Sequence, residues 1–130
     1  MSEKHSSANY LYLGAVLIII VLLIVVSNKG SNPSRYDTFA QCLSDQGARM
    51  YGAWWCPHCT KQKAEFDGAF DNVNYTECSA PGSRAMTQEC KDAGIEGYPT
   101  WEFADGSRLS GERTLEELAE QTGCELPVTE

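Results

Sequence analysis

The 130-residue sequence predicts a mixed α/β domain, its central sheet flanked by helices, preceded by one apolar N-terminal helix. Three observations lead there. Residues 11–26 form a run of 16 apolar or glycine positions without a charge, which is not soluble-domain composition. Beyond that run, helical and strand-like patterns alternate and finish in a hairpin, the order expected of a mixed sheet covered on both faces. Finally, Cys56-Pro57-His58-Cys59 falls where a strand gives way to a helix.

The apolar run spans ~24 Å as a helix at 1.5 Å per residue. With flanking residues it approaches the ~30 Å of a hydrocarbon core, so residues 10–27 are expected to be a transmembrane anchor after a polar tail at 1–9. Tyr10 and Tyr12 sit where an aromatic belt would lie. A cleaved signal peptide is the alternative, with Val25-Val26-Ser27 a weak cleavage site and only Lys4 to charge its front end. Lys4 before the helix and Lys29 and Arg35 after it leave the positive-inside rule tied. The cysteine content breaks the tie and puts the domain on the extracytoplasmic side, periplasmic or lumenal.

Residues 28–35 are small and polar, with Gly30 and Pro33, and read as a tether. The domain is expected over 36–124, with a short tail at 125–130. Phe39, Ala40 and Leu43 share one face of a helix over 36–46, stopped by Gly47. Residues 49–54 read as a strand, and Pro57 opens a helix that should continue to Phe70 with Ala64, Phe66 and Phe70 inward. A strand over 73–77 and a helix over 85–93 follow, the latter ended by Gly94. Residues 100–103 and 108–110 alternate around Ala104-Asp105-Gly106-Ser107, a hairpin by its turn chemistry. Thr114 and Glu117 stand at capping-box spacing before a last helix that Gly123 closes.

From Tyr36 onward there are 17 acidic and 7 basic residues, a net charge near −10 that repels phosphate backbones and excludes nucleic-acid binding as a leading function. The acidic face of the last helix (Glu116, Glu117, Glu120) reads as solvated. Six cysteines in so short a chain point to disulfides, metal or redox chemistry. Cys56 is placed at a helix N-terminus, where unpaired N–H groups and the macrodipole favour an anion. Cysteines so placed can have pKa values lowered to ~3.5–7.5. Two residues on, Cys59 returns within bonding distance. Cys56 is therefore the expected nucleophile toward a substrate disulfide, and Cys59 the thiol that resolves the mixed disulfide. His58 adds a cation beside the thiolate, which would make the disulfide more oxidising. Trp54 and Trp55 read as packing around the motif, with Trp55 also a candidate for client contact.

Trp55-Cys56-Pro57-His58-Cys59 followed by Tyr98-Pro99-Thr100 resembles the thioredoxin superfamily, and the Pro57-His58 pair is that of DsbA-type disulfide-forming oxidases. A closer resemblance, over about 39–123, is to the thioredoxin-like domain fused to bacterial and plant homologues of vitamin K epoxide reductase. It rests on residues 47–59, Glu77-Cys78, Cys90, Gly94-Ile95, Tyr98-Pro99-Thr100-Trp101 and 115–119. The resemblance implies a thioredoxin-like fold and a cis peptide before Pro99 beside Cys56. It also implies client binding at Tyr98 and Pro99, protein thiols as substrates, and no cofactor in the domain itself. The implied recycling partner is a quinone-linked membrane oxidase of the vitamin K epoxide reductase or DsbB type. Two departures stand out. A single apolar helix occupies the place of that family's multi-helix quinone-reducing domain. Met50 stands six positions before Cys56, where thioredoxin has a buried aspartate that accepts a proton.

Cys78 and Cys90 fall at corresponding places in the resembling domains, as a structural bridge worth roughly 3 kcal/mol or as a second redox pair. Cys42 and Cys124 have no counterpart there. By elimination they can pair if the chain after Gly123 reaches around the sheet; otherwise they are buried thiols. The chemistry expected is membrane-anchored thiol–disulfide exchange, as oxidase or isomerase, with reduction as the alternative direction. Metal binding is the rival class: zinc on Cys56, Cys59, Cys78 and Cys90, or copper on Cys56, His58 and Cys59.

Overall fold

The computed structural model describes residues 6–27 and 33–128. The tail at 1–5, the tether at 28–32 and residues 129–130 lie outside the described residues. The chain divides into two units, Met1–Asn32 and Pro33–Glu130.

The described residues of the first unit form one helix, α1 (Ser6–Ser27), with exposed apolar side chains from Tyr10 to Val25. Among the described residues no helix is long and apolar enough to cross a membrane. The expected span over 10–27 is not established there.

The second unit opens with α2 (Asp37–Asp45), which buries Phe39, Ala40 and Leu43 on one face as their spacing requires. Strand β1 (Arg49–Gly52) follows and stops two residues short of the expected end, because the chain turns at Trp54 and Trp55. Helix α3 (Pro57–Ala64) begins with Pro57 in its first turn, where a missing N–H costs no hydrogen bond.

α3 does not run on to Phe70. Asp67 (φ 48°) and Gly68 (φ 87°) take left-handed backbone, through which a helix cannot continue. The chain resumes in a 3₁₀ turn, Ala69–Asn72. Phe66 is still fully buried, its ring 6.2 Å from Phe39, 5.5 Å from Phe70 and 6.3 Å from Trp101. Ala64, expected inward, is exposed. Gln62 takes the inner position instead.

Strand β2 (Asn74–Glu77), helix α4 (Gln88–Asp92), strands β3 (Thr100–Glu102) and β4 (Arg108–Ser110), and helix α5 (Leu115–Thr122) complete the unit. α4 is shorter than expected because Thr87, with extended backbone, caps it through the Cys90 N–H. The capping box of Thr114 and Glu117 forms at α5, and Gly123 closes that helix in left-handed backbone.

The sheet order is β2-β1-β3-β4, with β1 parallel to β2 and antiparallel to β3, and β4 antiparallel to β3. This four-stranded mixed sheet with flanking helices fits a thioredoxin-like fold. Met50 and Trp101, paired across β1 and β3, are both fully buried at its centre. A smaller cluster joins Tyr51, Cys78, Cys90 and Ile95.

Four cysteines are bonded in pairs. Cys78–Cys90 joins the end of β2 to α4, with Cα atoms 5.6 Å apart. Cys42–Cys124 joins α2 to the residue after the Gly123 cap, with Cα atoms 5.9 Å apart. No reach around the sheet is needed, because α2 and α5 lie against each other.

Candidate active site

The backbone places Cys56 before anything else does. β1 delivers the chain to Ala53, the Cys56 N–H donates to the Ala53 carbonyl (3.0 Å), and Cys56 becomes the N-cap of α3. The Thr60 N–H and hydroxyl both donate to the Cys56 carbonyl, at 3.2 and 3.3 Å. The Sγ therefore sits at the end of α3 where N–H groups lack helical partners. Cys59 stands one turn on, within the first turn of α3. These two are the free cysteines among the described residues, 5% and 1% exposed.

The Tyr98–Pro99 peptide is cis. It brings the Tyr98 carbonyl to 3.8 Å from Cys56 Sγ, which donates to it. Pro99 is buried, and the Tyr98 ring meets the Trp55 ring edge-on at 6.0 Å. Trp55 donates from Nε1 to Ser79 Oγ (2.8 Å), with the Arg84 guanidinium 5.3 Å over its ring. Cys56, Cys59, Trp55, Tyr98 and Pro99 are thus gathered at one place. Trp54 departs from its expected packing role. It is 53% exposed, and its Nε1 donates to the Ser83 carbonyl at the rim.

His58 pairs with an acidic side chain. Its Nδ1 lies 2.6 Å from Glu112 Oε1, on the segment between β4 and α5, and Lys61 pairs with the other carboxylate oxygen. Lys61 first, and His58 after it, hold the Glu112 carboxyl below the usual carboxylate range. The zinc reading over four thiolates does not survive, since Cys78 and Cys90 are bonded to each other. Among the described residues no three metal-ligating side chains converge, and the copper set of Cys56, His58 and Cys59 does not assemble.

Over 91 residues the chain is 48% identical to the thiol-disulfide oxidoreductase LTO1 of Arabidopsis thaliana. The resemblance is to a thiol-handling enzyme. The match takes in 67% of this chain, which spans about a quarter (24%) of the length of that relative. No protein-family model matches the chain.

Several residues around the pair carry no local signal in the sequence. Gln62 is fully buried, and its Oε1 accepts from Trp101 Nε1 (3.3 Å) and the Arg113 N–H (2.6 Å). It ties α3 to β3 and to the segment before α5. Its place three residues after Cys59 and four before Phe66 was the available clue. Glu112, Tyr75 and Glu77 lie 16 or more residues away in sequence, where helical spacing says nothing.

Burial pushes the Cys59 thiol up to about 12, the neighbouring Cys56 adding to the rise, against a backbone hydrogen bond at Ala53 and the charge of Lys63. A thiol in an unfolded chain ionises near 8.5, to within about a unit. Across the interval between these values the unfolded chain sheds a proton that the folded, reduced protein keeps. This contribution to stability is fully present below about pH 8.5 and declines as pH rises toward 12. Urea midpoints of the reduced protein are expected to fall more steeply from pH 8 to 10 than those of Cys59→Ala. Equal slopes would remove the buried-thiol account.

Proposed function

We propose that this protein is a thiol–disulfide oxidoreductase held at a membrane by α1, exchanging disulfides with extracytoplasmic proteins through Cys56 and Cys59. One observation carries the reading. Of the six cysteines the two left free are those at the N-terminus of α3, with Cys56 Sγ beside the Tyr98 carbonyl.

Cys56, the outer sulfur, exchanges with the client, and Cys59 takes over the bond. The Tyr98 backbone and the Trp55 ring line the approach for an extended client segment. The similarity to a relative named as a thiol-disulfide oxidoreductase supports the chemistry. The uncharged run at 11–26 supports the anchor, and the paired Cys42–Cys124 and Cys78–Cys90 support an oxidising location. The direction proposed is oxidation or isomerisation of clients, with Pro57-His58 in the motif and Met50 in place of a buried carboxylate. A quinone-linked membrane oxidase of the vitamin K epoxide reductase or DsbB type would recycle the pair.

Equilibration of the Cys56–Cys59 couple with glutathione tests the direction. A potential less negative than about −200 mV is expected, together with oxidation of a reduced, unfolded client. A potential near the ~−270 mV of thioredoxin overturns the oxidase reading and leaves a reductase.

A further inference from the structure

Cys59 has to give up its proton to resolve a mixed disulfide, yet it is buried, and Met50, the buried β1 residue six positions before Cys56, cannot take one. The groups facing Cys59 are few. Its own helix contributes Cys56 and Lys63, the segment before β3 contributes Tyr98, and β2 contributes Tyr75, behind which stands Glu77. The last two form a unit. The Tyr75 hydroxyl donates to Glu77 Oε2 at 2.7 Å, while Glu77 Oε1 accepts the N–H groups of Trp54 (3.1 Å) and Ser79 (3.0 Å). The Lys63 ammonium lies 3.7 Å over the Tyr75 ring.

Gly52 is the partner of Glu77 in the β1–β2 register. A Cβ built on it would lie 3.1 Å from Cys59 Sγ, 3.1 Å from the Tyr75 hydroxyl and 2.9 Å from the Tyr75 ring. The bare α-carbon therefore keeps a passage between sulfur and hydroxyl. Both atoms being 3.1 Å from one point, they are at most about 6 Å apart, a gap that one water spans.

The geometry points to Tyr75 and Glu77 as the proton relay of Cys59, working across the gap left by Gly52. This rests on the redox reading above. In the resolving step the Cys59 thiol gives its proton, through one water, to the Tyr75 oxygen as Tyr75 passes its own to Glu77 Oε2. The Cys59 sulfur then attacks Cys56 Sγ of the mixed disulfide. The Cys56–Cys59 bond forms, the bond from Cys56 to the client breaks, and the client sulfur leaves with the electron pair as a thiolate. In the reverse direction the relay returns the proton to Cys59 as it is displaced. Burial, and then the hydrogen bond to Glu77, hold the Tyr75 hydroxyl above its ordinary range, so it acts by passing a proton rather than by resting ionised.

The test uses the full chain with Cys56 carried as its mixed disulfide with 5-thio-2-nitrobenzoate. Release of that coloured thiol reports the attack by Cys59, followed from pH 5 to 10. Glu77→Gln keeps acceptors for Trp54 and Ser79, and Tyr75→Phe removes only the hydroxyl. Both are expected to release the dye about a hundredfold more slowly at pH 7 and to converge on the parent as hydroxide takes over at high pH. Gly52→Ala, which narrows the passage, should behave likewise where it folds. Variants that follow the parent at every pH, or lose rate equally at every pH, overturn the relay while the redox reading stands. A parent that never releases the dye overturns both.

Discussion

Replacing Cys59 by alanine is expected to turn the protein into a covalent trap for its clients. Cys56 keeps its place at the N-terminus of α3 and its neighbour, the Tyr98 carbonyl, since neither depends on the Cys59 sulfur. It can still attack a client disulfide. What is lost is the second thiol, poised one turn away, that ends the mixed disulfide. Well-oriented intramolecular reactions reach effective molarities of ~10⁵ M or more, against millimolar thiol from solution. The lifetime of the mixed species should lengthen at least about a thousandfold, with turnover falling to match. Mass analysis of non-reduced Cys59→Ala protein from cells should find client peptides on Cys56, and a Cys56→Ala, Cys59→Ala protein should carry none. A trap that stays empty, or turnover that persists, would remove Cys59 from the chemistry.

Opening the Cys42–Cys124 bridge is expected to have the largest effect on stability. The two residues are separated by 82 positions, so the bond closes a loop that takes in nearly all of the second unit. Loop-closure entropy alone puts its contribution at about 4.5 kcal/mol, against roughly 3 kcal/mol for Cys78–Cys90, which are separated by 12. For a domain of this size each kcal/mol is worth ~4–8 °C, so Cys42→Ala, Cys124→Ala protein should melt about 20 °C or more below the parent. The paired replacement avoids leaving a stray thiol, and alanine at either site creates little empty volume. The loss should therefore arise in the unfolded chain, where a constraint disappears. Thermal melts by circular dichroism check it, and a shift of only a few degrees would mean the bond constrains little.

Much of the site was legible because its signals are local. Cys56-Pro57-His58-Cys59 needs only a strand before it and a helix after it, and Pro57 supplies the helix start. Thr114 and Glu117 form their reciprocal bonds within one turn. The hairpin turn at 104–107 is fixed by Gly106 in left-handed backbone and by Asp105, whose carboxylate accepts from the Ser107 N–H at 2.9 Å. Helix periodicity over-reached at Phe70, because apolar spacing continues across Asp67 and Gly68 while the backbone does not.

The sequence by itself determined where a reactive sulfur sits, since helix capping and dipole are properties of adjacent residues. Tertiary structure alone decided what surrounds that sulfur. Only the parallel pairing of β1 with β2 sets Gly52 beside Glu77, and only the loop before α5 carries Glu112 to His58. Likewise Cys42 found Cys124 because α2 and α5 pack together. Contacts of this kind join residues tens of positions apart, and their partners are chosen by how whole elements stack, which no short-range pattern records.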